Sequence, residues 1–264
     1  MAYASRSDLI GRVKALDSTT YAASAIVESL EVQGSLLTAR LRRAYPAPLS
    51  VPASALVALS ANVSDGNTVP IGAKTYRFKN TPVAINDVQI GATAAATIVN
   101  LRRTINQQGG SAYFTGTTVN DDVRGVSSGA ACSLYARKAG PEGNDLALSA
   151  VGAVITVTAF SGGAREFPEL VQCNIWMTAI QLLSGQATSA VSGSGTRTNI
   201  DDMRDQLAAA LGLLDAGYPL TDTEGVVFSP SSGGMYNEDE NYPIADMGDP
   251  VHWQSDPDRV FDRE

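Results

Sequence analysis

Apolar residues recur at helical spacing near both ends of the chain and at shorter, alternating spacing in its middle. Leu9, Ile10, Val13 and Leu16 share one face of a short helix that Ser5 or Ser7 can cap. A longer helix is expected to open at Thr19 or Thr20, with Ala22, Ala25, Ile26, Leu30, Leu37 and Leu41 in register. Pro46 and Pro48 stop it, because proline lacks the backbone donor and clashes with the preceding turn. Over 167–183, Leu170, Val171, Ile175, Met177, Ile180 and Leu183 make a nearly all-apolar helix, the pattern of one buried among others. A Gly/Ser/Thr linker is expected over 185–198. A last helix, capped by Asn199 or Asp201, then runs to Ala216 with Met203, Leu207, Leu211 and Leu214 inward and Gly217 as its stop.

From about Leu59 the texture changes. Asn62-Val-Ser-Asp-Gly-Asn67 is turn chemistry, and β-prone runs over 68–71 and 74–78 join at Gly72-Ala73, a hairpin signal. A strand is expected over 83–90. A helix follows over 93–107, capped by Thr93, with Ala94, Ile98, Leu101 and Ile105 on one face and Gly109-Gly110 as its end. Further β-like runs fall at 111–117, 131–137, 146–150 and 154–160.

These elements predict a mainly α fold. A four-helix-type bundle is expected from residues 1–58 and 165–224. An inserted α+β domain over 59–164 interrupts it, and an extended C-terminal tail over 225–264 follows it. The two leading helices cannot bury their apolar faces against each other alone, and the helix over 167–183 is the partner they lack. Domains in series are the alternative, but a helix-to-helix loop is a site that tolerates insertion.

Charge adds a second division. The chain carries a formal −8, and residues 225–264 hold nine acidic side chains against Arg259 and Arg263, a formal −7. That stretch is rich in Pro, Gly, Asp and Ser, without period, and by composition it is expected to be extended or disordered alone. An acidic tail repels phosphate, so it fits a groove on a partner protein better than nucleic acid. Tyr236, Tyr242, Trp253 and Phe261 are interspersed among its acids, the pattern of anchors for pockets on a partner. Arg40, Arg42 and Arg43 cluster at the expected end of a helix. They read either as solvated capping of the helix dipole or as a contact for carboxylates of a neighbour.

Catalytic chemistry finds no footing in the sequence. His252 is the single histidine and sits in the acidic tail beside Trp253. Cys132 and Cys173 have no metal-ligand spacing and read as core residues of a protein made in a reducing compartment. Glu238-Asp-Glu240, with Asp246 and Asp249, lacks the spacing of a calcium loop. Gly193-Ser-Gly195 lacks the Lys-Ser/Thr ending of a phosphate loop. No catalytic residue, metal or cofactor is expected, and the protein is read as not an enzyme. Met1–Asp17 lacks a basic start followed by an apolar run, and no apolar stretch approaches a membrane span, so no membrane partner is expected.

Tyr3-Ala-Ser-Arg-Ser-Asp-Leu9 resembles the opening of the Mu-like head–tail adaptor (connector) family of tailed bacteriophages. Ala25-Ile-Val-Glu…Leu41-Arg-Arg-Ala-Tyr-Pro46, Arg204-Asp-Gln-Leu…Leu214-Asp-Ala-Gly217 and Ser255-Asp-Pro-Asp-Arg-Val-Phe261 resemble it too. The likeness covers about residues 1–58 and 165–264. The block between departs from that family, which runs straight from helix to helix. It is similar instead to a small β-rich module of phage structural proteins, through Asp65-Gly-Asn-Thr-Val…Gly72-Ala-Lys-Thr-Tyr-Arg-Phe78, Ile90-Gly-Ala-Thr-Ala-Ala-Ala-Thr97 and Ala136-Arg-Lys-Ala-Gly-Pro-Glu-Gly-Asn144.

The resemblance implies a virion protein of the neck, made in the host cytoplasm. It would form a homo-oligomeric ring, usually of twelve copies, below the portal protein. The ring extends the DNA channel without sequence-specific binding and docks the tail or a second connector protein. Elongated termini in such adaptors reach into the portal, so Arg40, Arg42, Arg43, Tyr236, Tyr242, Trp253, Arg259 and Phe261 are the expected partner-binding residues. The alternative is a tail-tip or decoration protein whose inserted domain binds a host surface or another virion protein.

Overall fold

A computed structural model describes residues 2–16, 21–42, 45, 49–187 and 194–228. Among these are five helices and nine strands in three sheets, 39 % helix and 24 % strand. The chain is therefore a mixed α and β protein, and the mainly α fold expected from the sequence is overturned. The helices at the chain ends form, but the strands between them are more numerous than their local patterns declare. Four had left no mark: two short ones over 220–221 and 227–228, and two of six residues, β1 (Ser54–Leu59) and β5 (Val123–Ser128). A six-residue alternation is a weak signal on its own; β1 is completed by hydrogen bonds to strands over 131–136 and 155–161, far away in sequence, while β5 pairs with the strand over 131–136 that directly follows it.

The helical layer joins the two ends of the chain. In α1 (Arg6–Arg12) the Ser5 hydroxyl accepts from the Asp8 N–H, and the Asp8 carboxylate accepts from the Ser5 N–H, a reciprocal capping box. A short 3-10 turn over Lys14–Leu16 follows. Helix α2 (Ala23–Leu41) is preceded by Ala22 with no side-chain cap; the expected caps Thr19 and Thr20 lie outside the described residues. Helix α4 (Pro168–Ala187) packs against α1, α2 and α5 (Ser194–Asp215). Of the linker expected over 185–198, residues 185–187 and 194–198 are helical and 188–193 lie outside the described residues; α5 starts before Asn199, because packing against a neighbour overrides weak local propensity. Two apolar clusters hold the layer. One gathers Leu9, Leu16, Ile26, Leu30, Ile175 and Leu183, and the other Tyr3, Leu37, Leu41, Tyr45, Phe167 and Leu214.

The middle of the chain builds its own core around Val57, Ile71, Tyr76, Phe78, Ile98, Leu101, Val123 and Leu134. One sheet orders β5, β6 (Ala131–Ala136), β1 and β7 (Ile155–Ser161), with every pair antiparallel. The other orders β2 (Thr68–Ile71), β3 (Lys74–Lys79) and β4 (Asp87–Gln89), with β3 and β4 parallel. The β2–β3 turn at Gly72-Ala73 is the expected hairpin, and Gly72 takes φ 59° there. Helix α3 (Ala94–Asn106) packs against β1, β4, β5 and β6. Thr93 Oγ1 caps it by accepting from the Ala96 N–H at 3.1 Å, and Gln107 ends it in the left-handed region before the glycines are reached.

The strand expected over 83–90 shrinks to β4, because the Asp87 carboxylate accepts from the Val83 and Ala84 N–H groups and curls 83–86 into a turn. The runs at 111–117 and 146–150 make only isolated bridges, Tyr113 to Val88 and Leu148 to Ile71. Strands β8 (Leu220–Thr221) and β9 (Val227–Phe228) close the described chain. No described helix is long and apolar enough to cross a membrane.

Candidate functional site

The helical layer and the β-rich part meet along a polar joint built around the first residues of the chain. Ala2 donates its N–H to the Arg137 carbonyl at 3.2 Å, and its own carbonyl accepts from the Ala139 N–H at 2.9 Å. Asn174 of α4 holds the next two residues. Its Oδ1 accepts from the N–H of Tyr3 at 2.9 Å and of Ala4 at 3.1 Å, while its Nδ2 donates to the Leu30 carbonyl at 3.2 Å. The segment is buried on both sides, so each backbone group needs such a partner.

Ion pairs flank this segment. Arg6 reaches Asp121 at 2.8 Å, and Arg137 reaches Glu31 at 2.6 Å while donating through Nε to the Asn120 carbonyl at 2.8 Å. Lys138 stands among three carboxylates: Glu142 and Glu166 at 2.9 Å and Asp8 at 3.4 Å. Burial works against the Lys138 ammonium, yet hydrogen bonds to Glu142 and Glu166 and the charges of Asp8 and Glu166 push its pKa up. At Asp8 burial raises the pKa, but the bonds from Ser5 and the nearby Lys138 outweigh it and hold the carboxyl below its ordinary value. The Arg137 guanidinium shifts down, because burial outweighs the attraction of Glu31.

Beside the joint, α2 and β5 form the walls of an open cleft of about 380 Å³, lined by Glu28, Glu31, Val32, Ser35, Leu36 and Arg124. The Arg124 guanidinium lies 5.8 Å from the centre of the Tyr135 ring, a cation–π arrangement that fixes its aim. Val32 and Leu36, both in the cleft wall, are 46 and 54 % exposed. Such exposure of neighbouring large apolar side chains marks a contact surface more than a chamber that secludes reactants from water. Among the described residues no three His, Cys, Asp or Glu side chains are grouped to hold a metal ion. Burial pushes the thiol of Cys132 up to about 12 and that of Cys173 up to about 11, so neither is a thiolate near neutral pH.

The arginines expected to bind partners separate in the structure. Arg40 forks onto the carboxylate of Asp215 at the end of α5, with Nε to Oδ1 at 2.8 Å and a second contact from Nη2 to Oδ2. It is committed to its own chain. Arg42 is exposed just past the end of α2, where its N–H donates to the Thr38 carbonyl. Arg43, Tyr236, Tyr242, Trp253, Arg259 and Phe261, with His252, lie outside the described residues.

Reasoning from the sequence missed Arg124, Arg137, Lys138 and Asn174 as joint and cleft residues. Arg137 and Lys138 are adjacent cations beyond a strand, the one visible cue. Asn174 interrupts the apolar helix and is fully buried, and a polar residue on an apolar face was the signal available. No protein-family model matches the chain, and no curated protein matches it at a significant level.

Proposed function

We propose that this chain is a structural head-to-tail adaptor (connector) of a tailed bacteriophage. It forms a homo-oligomeric ring of twelve copies below the portal protein, extends the DNA channel, and docks the tail or a second connector protein. The observation that carries the reading is where the stretches resembling that family lie. Tyr3 and Ala4 from the first are pinned by Asn174, and Tyr3 Oη is hydrogen-bonded to Thr38 Oγ1 in the second at 2.9 Å. Arg40, beside Leu41-Arg-Arg-Ala-Tyr-Pro46, pairs with Asp215 of Leu214-Asp-Ala-Gly217, and the Tyr45 hydroxyl donates to the Tyr218 carbonyl. Matches that arose by chance would have no reason to pack against one another across the whole length of the chain.

In this reading the role is structural, not enzymatic. Rings close through heterologous contacts, in which each copy offers two different faces. The cleft between α2 and β5, with its exposed Val32 and Leu36, is one such face. Arg40 and Arg42, the described members of the arginine cluster, are both exposed, and Arg40 already forks onto Asp215. The acidic residues of 225–264 with Tyr236, Tyr242, Trp253 and Phe261 serve as the hook to the portal.

Native mass measurement of the purified protein, alone and with portal protein, tests this. A closed ring, or ring formation on the portal, is expected. A monomer that ignores the portal and binds glycans would overturn the reading in favour of a tail-tip or decoration protein.

A further inference from the structure

The turn over 83–86 is tightly hydrogen-bonded and yet presents two apolar side chains to solvent. The Asp87 carboxylate accepts from the Val83 N–H at 2.9 Å and from the Ala84 N–H at 2.8 Å. The Ala84 carbonyl accepts from the Asp87 N–H at 3.0 Å, and Thr117 Oγ1 accepts from the Asn86 N–H at 3.0 Å. The Arg77 N–H donates to the Asn86 carbonyl at 3.2 Å. Val83 and Ile85 nevertheless stand 61 and 62 % exposed, so they add little to the core. A backbone already fixed loses little further freedom when its side chains are buried against another surface. Paired exposed aliphatic side chains on such a frame mark a contact.

The charge beside the turn is positive. Arg77 spends Nε and Nη2 on Asp87, and Nη2 bonds the same carboxylate oxygen that holds the Val83 and Ala84 N–H groups. Its guanidinium therefore sits against the turn. The Asp87 carboxylate is buried while the Arg77 side chain is 41 % exposed, so the pair shows solvent its positive end.

The cleft between α2 and β5 is the counterpart. Glu28, Val32 and Leu36 follow one another at four-residue steps along α2, a stripe of two exposed apolar side chains with a carboxylate at its end. Val32 and Leu36 are ~6 Å apart along the helix axis. Val83 and Ile85, two residues apart, have α-carbons at most ~7 Å apart, so the two pairs are spaced alike. Glu31 is already taken by Arg137, whereas Glu28 is exposed and enters no ion pair among the described residues. Arg124, the cation lining the cleft, belongs to the opposite wall and is held on the Tyr135 ring. Residues 83–85 do not line the cleft of their own chain.

We propose that Val83 and Ile85 of one copy enter the α2–β5 cleft of a second copy and pack on Val32 and Leu36, with Arg77 donating to Glu28. The two patches differ and lie on one chain. Each copy therefore gives its turn to one neighbour and its cleft to the other, a heterologous contact. The pairing deepens the connector reading, on which it rests for closure of the ring, by naming the second face and the residues that anchor it. A few anchoring residues carry most of the energy of such an interface.

Native mass measurement of the full chain carrying Ile85→Asp or Leu36→Asp tests it. Both positions are exposed, so circular dichroism is expected to stay unchanged. Each substitution puts an unpaired carboxylate into the contact and should raise the concentration for half-assembly at least about tenfold. The two variants mixed should form one-to-one dimers and stop there, because only the turn of Leu36→Asp and the cleft of Ile85→Asp remain whole. Rings that survive both substitutions overturn this pairing and keep the connector reading. Two variants that fail alone and also fail to pair when mixed overturn it as well. Loss of portal binding by Ile85→Asp with rings intact assigns the turn to the portal and overturns the contact between copies. Open chains in place of rings, lost in either variant, keep the pairing and overturn ring closure. A chain that stays monomeric alone and with portal protein overturns both.

Discussion

Replacing Asn174 with leucine removes the side chain that joins the start of the chain to α4. Leucine has similar bulk, so the site loses polar chemistry more than volume. Three buried backbone groups lose their partner: the N–H of Tyr3, the N–H of Ala4 and the carbonyl of Leu30. Leaving a buried donor or acceptor unpaired costs ~1–3 kcal/mol each, which sums to a ceiling of ~3–9 kcal/mol. Local opening of the segment 2–4 would let water satisfy its amides. The loss is then capped by the worth of docking Ala2, Tyr3 and Ala4, which are 1–2 % exposed. We expect a destabilisation of about 3–5 kcal/mol, large against the ~5–15 kcal/mol that holds typical folded proteins together. Urea unfolding followed by far-ultraviolet circular dichroism measures it as a fall in midpoint, and hydrogen exchange at Tyr3 and Ala4 reports the local release. A loss under about 1 kcal/mol, with those two amides exchanging at the unmodified rate, would refute the reasoning.

Three further outcomes are expected. Asp87 is buried, which alone would raise its pKa, but Arg77 at 2.9 Å and the N–H groups of Val83 and Ala84 hold it below the ordinary carboxylate value. Its folded pKa is depressed, so its contribution is present above the unfolded value of about 3.9 and is lost as pH falls through the folded one. Asp87→Asn should therefore destabilise at neutral pH, and the gap to the unmodified protein should close in acid; a gap independent of pH in urea titrations would contradict this. Cys132 and Cys173, buried and with raised pKa values, should resist a maleimide in the native state and react on unfolding, as mass spectrometry would show. In Gly91→Ala the new methyl would sit 2.6 Å from Ala96 Cβ and 2.9 Å from the Thr97 nitrogen at the start of α3. A loss of about 1–3 kcal/mol in a denaturant titration is expected, and a neutral effect would show that the helix start can shift.

The sequence by itself determined what depends on near neighbours along the chain. The helical periods over α2, α3 and α4 are contributed by residues three and four apart. The caps at Ser5 and Thr93 use a side chain and a backbone N–H three positions on. The Gly72-Ala73 hairpin needs one backbone conformation that glycine supplies. Each of these is a local energy, and the residues that set it can be read in a single window. Tertiary structure alone decided the rest. β1 is a strand because β6 and β7 flank it and complete its ladder, and six residues of pattern cannot announce partners so distant, whereas β5 pairs with β6 directly after it in the chain. This is why a chain with clear helices at both ends is mixed α and β. The same reason governs the site. Arg40 was legible as a charge at a helix end, but only folding brought Asp215 beneath it and turned a candidate docking group into an internal pair. Asn174 was legible as a polar residue in an apolar helix, and only the packed structure delivered the three backbone groups that explain it. Buried polar groups must find partners, and which partners they find is settled by the shape of the whole core, not by the order of residues around them.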